Sequence, residues 1–394
     1  MSLLPRVFIK KGRAGGPLGR NPWVYPDALE KPQCFIEDGA VVDLFERERF
    51  LGRGFYNAQS QIRLRILTWD SQENIDQDFF DRRVEAAISL RQDLQILSST
   101  NSMRVIFSES DGLSGLVVDA FDDVLVMQVT SLGLYRQLDS VVAALKNQLK
   151  PRAIFLKQDS ILSQREGILE TRDGWLWGSP IQNFWLREHD LEFKLNLESS
   201  QKTGFYLDQR ENRRRVRSIS RDRSVADLCC FSGGFALNAA KAGARSVMGV
   251  DSSGPALDLA RENANHNGLK INFLEADVAD WLNSSSDLFE VLIFDPPKLI
   301  PSQKHKKEGL KSYYRLNELA LKRVQPGGYF MTFSCSGSLD FEEFQSLLQA
   351  VGRRSGRHLQ LLERLQAPSD HPILLSAPST QYLKGFLFRV LKAL

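Results

Sequence analysis

Asp227-Leu228-Cys229-Cys230-Phe231-Ser232-Gly233-Gly234-Phe235 runs from an apolar strand, Val225–Cys230, through paired glycines into a helical stretch, Phe235–Ala242. Strand, glycine turn and helix together let a backbone approach a ligand closely and aim a helix N-terminus at it. Paired glycines also occur in ordinary turns, so the reading depends on the neighbouring strands. Asp251 closes the next apolar run, Val247-Met248-Gly249-Val250, twenty-four residues after Asp227. An acid at the end of a second strand is placed to accept hydrogen bonds from both hydroxyls of a ribose. That spacing would suit a nicotinamide dinucleotide too, but the G-x-G-x-x-G that a pyrophosphate requires is missing. A nucleoside cofactor without a pyrophosphate fits better, which points to S-adenosyl-L-methionine. Asp227, Ser232, Gly233 and Asp251 are its candidate ligands. Asp277, ending Leu274-Glu275-Ala276-Asp277, sits where an acid could take the adenine amino group.

Working outward, the same rhythm continues. Strand-like runs at 246–250, 271–274, 291–294 and 329–333 alternate with helical stretches at 255–267, 278–282, 313–324 and 341–351. Two late strands are expected near 359–362 and 386–390. Alternation of this length predicts a mostly parallel sheet with helices on both faces, which binds ligands beyond the carboxyl ends of its strands. Two more motifs fall at that edge. In Phe294-Asp295-Pro296-Pro297-Lys298 the prolines fix an extended, rigid loop. Enzymes that methylate an exocyclic amine typically carry an aromatic ring after the prolines, whereas Lys298 stands here. Phe333-Ser334-Cys335-Ser336-Gly337 ends the fifth strand. A cysteine is more often a small buried hydrophobe than a nucleophile. Its serine and glycine neighbours and its place at the ligand edge favour a nucleophile, and a thiolate there could attack carbon 6 of a pyrimidine.

The chain of 394 residues has the length of about two to three domains. With 42% hydrophobic and 25% charged residues it has a globular composition. No apolar run approaches the ~18 residues of a membrane helix, and no signal-peptide core precedes Lys10, so a cytoplasmic protein is expected. Four cysteines and five histidines lack ligand spacing, so no metal is expected. Net charge is only +3, but it is unevenly spread. Residues 1–20 hold Arg6, Lys10, Lys11, Arg13 and Arg20 and no acid. Residues 200–223 hold eight basic and three acidic side chains, and residues 298–323 eight and two. Residues 70–123 run the other way, with twelve acids against four bases. Three basic islands suggest a localised polyanion-binding face. The first seventy residues read as a small β domain, in which the alternation of Ile62, Leu64 and Ile66 puts Arg63 and Arg65 on the opposite face. A helix from Asp76, strands at 104–107, 116–118, 124–129 and 153–157, and a helix near 134–149 form an α+β segment between the two.

Across nearly its whole length the chain resembles the bacterial 23S ribosomal RNA cytosine-carbon-5 methyltransferases, the RlmI-like group. Gly19–Tyr25 and Leu51–Asn57 match the signatures of its PUA domain, and Glu109–Asp119 its central domain. Gln201-Lys202-Thr203-Gly204-Phe205-Tyr206-Leu207-Asp208-Gln209-Arg210 is similar to the segment that lids the cofactor in that group. Asn21 stands where a histidine is usual, and Ser114 where a proline is usual. The resemblance implies a PUA RNA-binding domain over 1–72, a central α+β domain over 73–190 and a class I, Rossmann-like methyltransferase domain over 191–394. It implies that Phe205, Asp208 and Arg210 join Asp227, Ser232, Gly233, Asp251, Asp277 and Asp295 around the cofactor. Arg20, Trp23, Arg53, Tyr206, Pro296 and Lys298 would contact the RNA. Cys335 would be the nucleophile and Asp295 would hold the cytosine amino face, with no residue assigned to remove the carbon 5 proton. Many RNA cytosine methyltransferases have a second cysteine in the Asp-Pro loop, where this chain has prolines. The implied partners are 23S ribosomal RNA, naked or in a pre-50S particle, and a second copy in a homodimer, with no membrane. The alternatives are a guanine methyltransferase of ribosomal RNA, whose relatives carry asparagines in place of Ser334-Cys335-Ser336, and a catalytically silent RNA-binding protein. A small-molecule methyltransferase would leave the basic N-terminal domain unexplained.

Overall fold

The computed structural model describes residues 4–169, 172–181, 184–197 and 204–392. The chain forms two compact units. The first comprises Met1–Leu186, Leu195–Leu207 and Ser369–Thr380, and the second Arg187–Lys194, Asp208–Pro368 and Gln381–Leu394.

The first unit opens with β1 (Arg6–Phe8), α1 (Gly15–Leu18), β2 (Trp23–Val24), β3 (Val41–Glu46), β4 (Arg49–Tyr56) and β5 (Leu64–Thr68). These strands form a sheet in the order β1-β3-β4-β5-β2, antiparallel except for β1 on β3. One face buries Val7, Val42, Leu44, Leu64 and Ile66. The opposite face is not solvated, and this corrects two expectations. Arg65 is 7% exposed, lies 3.6 Å from Glu109 and 3.4 Å from Glu166, and donates to the Thr130 carbonyl. Arg53 is also buried, its guanidinium donating to Asp43 at 2.7 Å and to the carbonyls of Ser71 and Glu73. Neither side chain faces an external phosphate: a buried arginine must find acceptors, which Asp43 and the Ser71 and Glu73 carbonyls supply to Arg53 and a second layer supplies to Arg65.

That layer is a sheet of β6 (Ser102–Phe107), β7 (Leu116–Phe121), β8 (Val124–Val129), β9 (Ala153–Leu156) and β10 (Gly174–Trp177), in the order β10-β9-β8-β7-β6. It carries α2 (Gln77–Asp93), α3 (Leu132–Arg136), α4 (Leu138–Leu149) and α5 (Ser160–Arg165). Asp76 caps α2 by accepting from the Phe79 amide, and Phe79, Phe80, Val84, Ala87 and Ile88 give that helix its buried face. Phe55 and Leu67, from the first sheet, belong to the same apolar core. The acidic tract has an internal use: Asp111 pairs with buried Arg91 at 2.6 Å and Asp119 with Arg104 at 2.8 Å. From the far end of the sequence, the Asp370 carbonyl accepts from Arg91 and its carboxylate from the Arg104 amide.

A two-stranded sheet of β11 (Phe184–Glu188) and β12 (Leu191–Leu195) comes next. The expected boundary at 190/191 falls in its turn.

In the second unit α6 (Arg210–Ser220) precedes β13 (Ser224–Leu228), α7 (Gly234–Lys241), β14 (Ser246–Asp251), α8 (Gly254–His266), β15 (Asn272–Glu275), α9 (Val278–Ser284) and β16 (Phe289–Phe294). Then come α10 (Lys306–Lys322), β17 (Val324–Ser334), α11 (Phe341–Arg354), β18 (Arg357–Leu365) and β19 (Lys384–Lys392). The seven-stranded sheet runs β15-β14-β13-β16-β17-β19-β18. Its first five strands are parallel, and β19 runs antiparallel to both β17 and β18. Strand order reverses at β13 and β16, so the crevice of a doubly wound sheet opens beside their carboxyl ends. Both faces are apolar, with Leu292, Phe294, Phe330 and Phe386 on one side and Val225, Ile293, Phe333 and Leu387 on the other. Among the described residues no helix is long and apolar enough to cross a membrane, and no group of His, Cys, Asp or Glu could hold a metal ion.

Candidate active site

Parallel register brings the acids to one edge. Leu228 of β13 lies opposite Val250 of β14 and Phe294 of β16, so Asp251 and Asp295 leave the sheet beside the glycine turn. The two glycines of that turn are needed for different reasons. Gly233 has φ +82°, and a Cβ there would sit 2.8 Å from the Leu237 side chain. Gly234 has no such φ, but a Cβ would be 2.6 Å from Cδ of Arg213, which is held by Glu188. Before them, Cys229 and Phe231 also adopt positive φ, of 61° and 48°. Two non-glycine residues in that region make a strained loop, of the kind that clusters at ligand clamps.

Asp227 is fully buried, and its Oδ2 accepts from the Ala236 amide at 2.9 Å while Oδ1 has no hydrogen-bond partner among the described residues. Burial holds its carboxyl well above the usual range, and the charges of Asp295 and Asp251 push the same way. Asp251 accepts from the Phe231 amide through Oδ2 and from the Ser253 amide through Oδ1, both at 2.9 Å. Each oxygen keeps a second lone pair for a ligand hydroxyl. Asp277 caps α9, its Oδ1 accepting from the amides of Ala279 and Asp280. Ser232 is buried and its carbonyl accepts from Asn263. Like charges gathered at one edge suit a cationic ligand, and an orphaned buried carboxylate oxygen suits one that donates hydrogen bonds. S-Adenosylmethionine, with a sulfonium, an ammonium and ribose hydroxyls, meets both conditions.

The same carboxylates sort the thiols. Burial pushes the Cys229 and Cys230 thiols up, and the charges of Asp251 and Asp227 add to it. Both therefore stay protonated and inert. Cys335 is only partly buried, just past the end of β17, the neighbour of β16. Its turn is tied to the Asp295-Pro296-Pro297-Lys298 loop: Ser336 Oγ accepts from the Ile300 amide at 3.2 Å and contacts the Tyr313 hydroxyl at 3.0 Å. Ser334 Oγ donates to that hydroxyl as well. Pro296 is buried and Lys298 exposed.

Gln201, Lys202 and Thr203 of the expected lid lie outside the described residues. Phe205 and Tyr206 belong to the first unit, Phe205 buried and Tyr206 partly so. Asp208 accepts from the Tyr382 hydroxyl at 2.5 Å, and Arg210 is buried with Nε 3.4 Å from Glu211. Gln209, absent from the sequence-derived candidates although it lies between two of them, donates to Asp295 Oδ2 at 2.9 Å. Asn212 in turn donates to Gln209. The structure thus gathers Asp208, Asp227, Ser232, Gly233, Asp251, Asp277, Asp295, Pro296, Lys298 and Cys335 within the second unit. Arg20, Trp23 and Arg53 lie in the first. Arg20 is exposed, with its guanidinium 5.3 Å from the centre of the Trp69 ring. The Trp23 indole donates to Glu109 at 2.8 Å.

Residues 7–69 match the PUA-like domain family and residues 114–389 the S-adenosylmethionine-dependent methyltransferase family. Ribosomal RNA large subunit methyltransferase I of Klebsiella pneumoniae is 35% identical over 398 residues, covering 99% of both chains. The protein of that name from Shewanella denitrificans is 36% identical over 98% of this chain and 99% of its own. A solved structure described as a methyltransferase complexed with SAH has a TM-score of 0.86 at 18% identity, over 98% of this chain and 100% of that one. Another, described as a SAM-dependent methyltransferase from Streptococcus mutans, has a TM-score of 0.84 at 18% identity with the same coverage. The chain belongs to the S-adenosylmethionine-dependent methyltransferases, and among them to the family of ribosomal RNA large subunit methyltransferase I. S-Adenosylmethionine is its cofactor, and the acidic edge of the second unit fits it.

Proposed function

We propose that this protein methylates carbon 5 of a cytosine in large-subunit ribosomal RNA through a covalent adduct on Cys335. The observation that carries the reading is a partly exposed cysteine, Cys335, at the carboxyl end of β17, tied to the loop that begins Asp295-Pro-Pro, while burial pushes the Cys229 and Cys230 thiols up. Bound S-adenosylmethionine supplies an electrophilic methyl group. The target cytosine must leave its stack to enter the sheet-edge crevice. The Cys335 thiolate adds to carbon 6, which makes carbon 5 a nucleophile. Asp295, held by Gln209, accepts from the cytosine amino group. Once carbon 5 carries the methyl group, its proton leaves and the thiol is eliminated, restoring the aromatic ring and free Cys335. Bisulfite sequencing of ribosomal RNA from cells with and without the protein tests this directly. One large-subunit cytosine should lose protection when the protein is removed. An unchanged bisulfite pattern with a lost guanine methylation would replace the reading by the guanine one.

The first unit supplies the RNA contact in this reading, through exposed cations rather than through Arg53 or Arg65. Deleting residues 1–72 would strip Phe55 and Leu67 from the shared core and leave Glu109 and Glu166 without Arg65. Neutralising Lys10, Lys11, Arg13 and Arg20 to glutamine is the cleaner experiment, since all four are exposed. Log affinity for ribosomal RNA fragments should fall less steeply with log salt, by about 0.7 for each single-strand phosphate that the variant no longer neutralises. Cofactor affinity should not change. An unaltered slope would move the contact to the basic islands at 200–223 and 298–323.

A further inference from the structure

Lys384 opens β19 in the run Tyr382-Leu383-Lys384-Gly385-Phe386-Leu387-Phe388, opposite Ser334 of β17. It is 1% exposed, and lysine is almost never buried without a counter-charge. Its Nζ donates to the Ser336 carbonyl at 2.7 Å and to the Tyr382 carbonyl at 2.6 Å. Among the described residues it makes no salt bridge to a carboxylate. Two carbonyl dipoles satisfy two of its three protons but neutralise no charge. The strand register and the Ser336 bond fix the ammonium beside the one-residue span that holds Cys335.

We propose that Lys384 is a positioning residue for Cys335, its ammonium holding the thiol in the ionised, nucleophilic form. The thiol proton goes to solvent, and the thiolate left behind is the counter-ion that the buried ammonium otherwise lacks. An opposite charge within ~4–6 Å moves an ionisation by 1–3 pH units, enough to bring an ordinary thiol into the neutral range. The surrounding charges are consistent with this. Burial pushes Lys384 down to about 8, Cys335, Asp340 and Glu343 raise it, and Lys298 lowers it. The Tyr313 hydroxyl, on the other flank, is itself raised by burial and stays a neutral hydrogen-bonding group. Ammonium and thiolate titrate as a pair, so the loss of either changes the apparent midpoint of the other.

The inference rests on Cys335 being the nucleophile, but its test needs no RNA and so fails separately from that reading. Alkylation of the full-length protein by iodoacetamide, in which the thiolate displaces iodide from carbon, reads the thiolate fraction directly. Peptide mass analysis resolves Cys335, and exposed Cys34, alkylated in the same tube, is the internal reference. Wild-type Cys335 should react with a midpoint below pH 8, against roughly 8.5 for an ordinary thiol. In Lys384→Met the midpoint should rise by one unit or more and the rate at pH 7 should fall about tenfold, with S-adenosylmethionine binding retained. A Lys384→Met protein that binds the cofactor and alkylates Cys335 with the wild-type midpoint would overturn the assignment. So would a wild-type midpoint at or above 8.5, a measurement that stands even where the variant does not fold.

Discussion

Cys335→Ser should abolish methyl transfer by several orders of magnitude while S-adenosylmethionine and RNA still bind. A serine hydroxyl is far less acidic than a thiol and would not ionise at neutral pH even beside a lysine. The opposing account treats Cys335 as a small apolar side chain packed at the edge of the Phe333, Leu365 and Leu383 cluster. On that account serine would cost a little stability and leave most of the activity. RNA carrying 5-fluorocytosine at the target separates the two more sharply. Fluorine cannot leave as a cation, so the final proton abstraction is blocked and the wild type should accumulate a denaturation-resistant adduct mapped to Cys335. Cys229→Ser and Cys230→Ser should still form it, because burial already keeps both thiols protonated. An adduct on either of those cysteines, or a Cys335→Ser enzyme that methylates well, would sink the mechanism.

For Asp251→Ala the expected result is at least a tenfold loss of S-adenosylmethionine affinity with the fold retained. Charge-assisted hydrogen bonds from two ribose hydroxyls would each contribute roughly 1.5–3 kcal/mol. The side chain also accepts from the amides of Phe231 and Ser253, so alanine loosens the strained turn that the cofactor must meet already formed. Isothermal calorimetry measures the affinity, and circular dichroism checks the fold. Wild-type affinity in the variant would remove Asp251 from the site.

The second unit was readable because its chemistry sits where periodicity changes. Asp251, Asp295 and Cys335 fall where an apolar run stops and so announce both the sheet and its edge, whereas Asp227 lies inside β13 and is marked by the glycine turn that follows it. What stayed hidden was polar chemistry inside apolar segments. Arg65 alternates with Leu64 and Ile66 as a surface residue would, and only a second sheet on its face makes it a buried partner of Glu109. Arg53 and Arg91 are the same case, since charge in a sequence does not say which acids will meet it. Lys384 left one trace, a single cation in a run of apolar strand residues. The hairpin of β11 and β12 had readable alternation, Leu191-Glu192-Phe193-Lys194-Leu195. Its turn, however, uses His189 at φ +56° where asparagine or glycine would have signalled it. Gln209 was in plain view between Asp208 and Arg210, but its bond to Asp295 depends on how α6 is placed, which no local pattern encodes.

Asp370 carries a consequence for how the chain is made. Its carbonyl and carboxylate complete the hydrogen bonds of Arg91 and Arg104, and His371 packs 5.4 Å from the Phe107 ring, all within the first unit. Synthesis at about 5–20 residues per second puts roughly 13–50 s between the emergence of β7 and that of Asp370. Throughout that interval Arg91 and the edge strand β6 wait on the ribosome without their last partners, while six of the seven strands of the second unit's sheet, β13 to β18, are being threaded out. The N-terminal half therefore cannot finish folding first, as a freely separable domain would. Its final closure waits until all but the last strand of the methyltransferase sheet has been made.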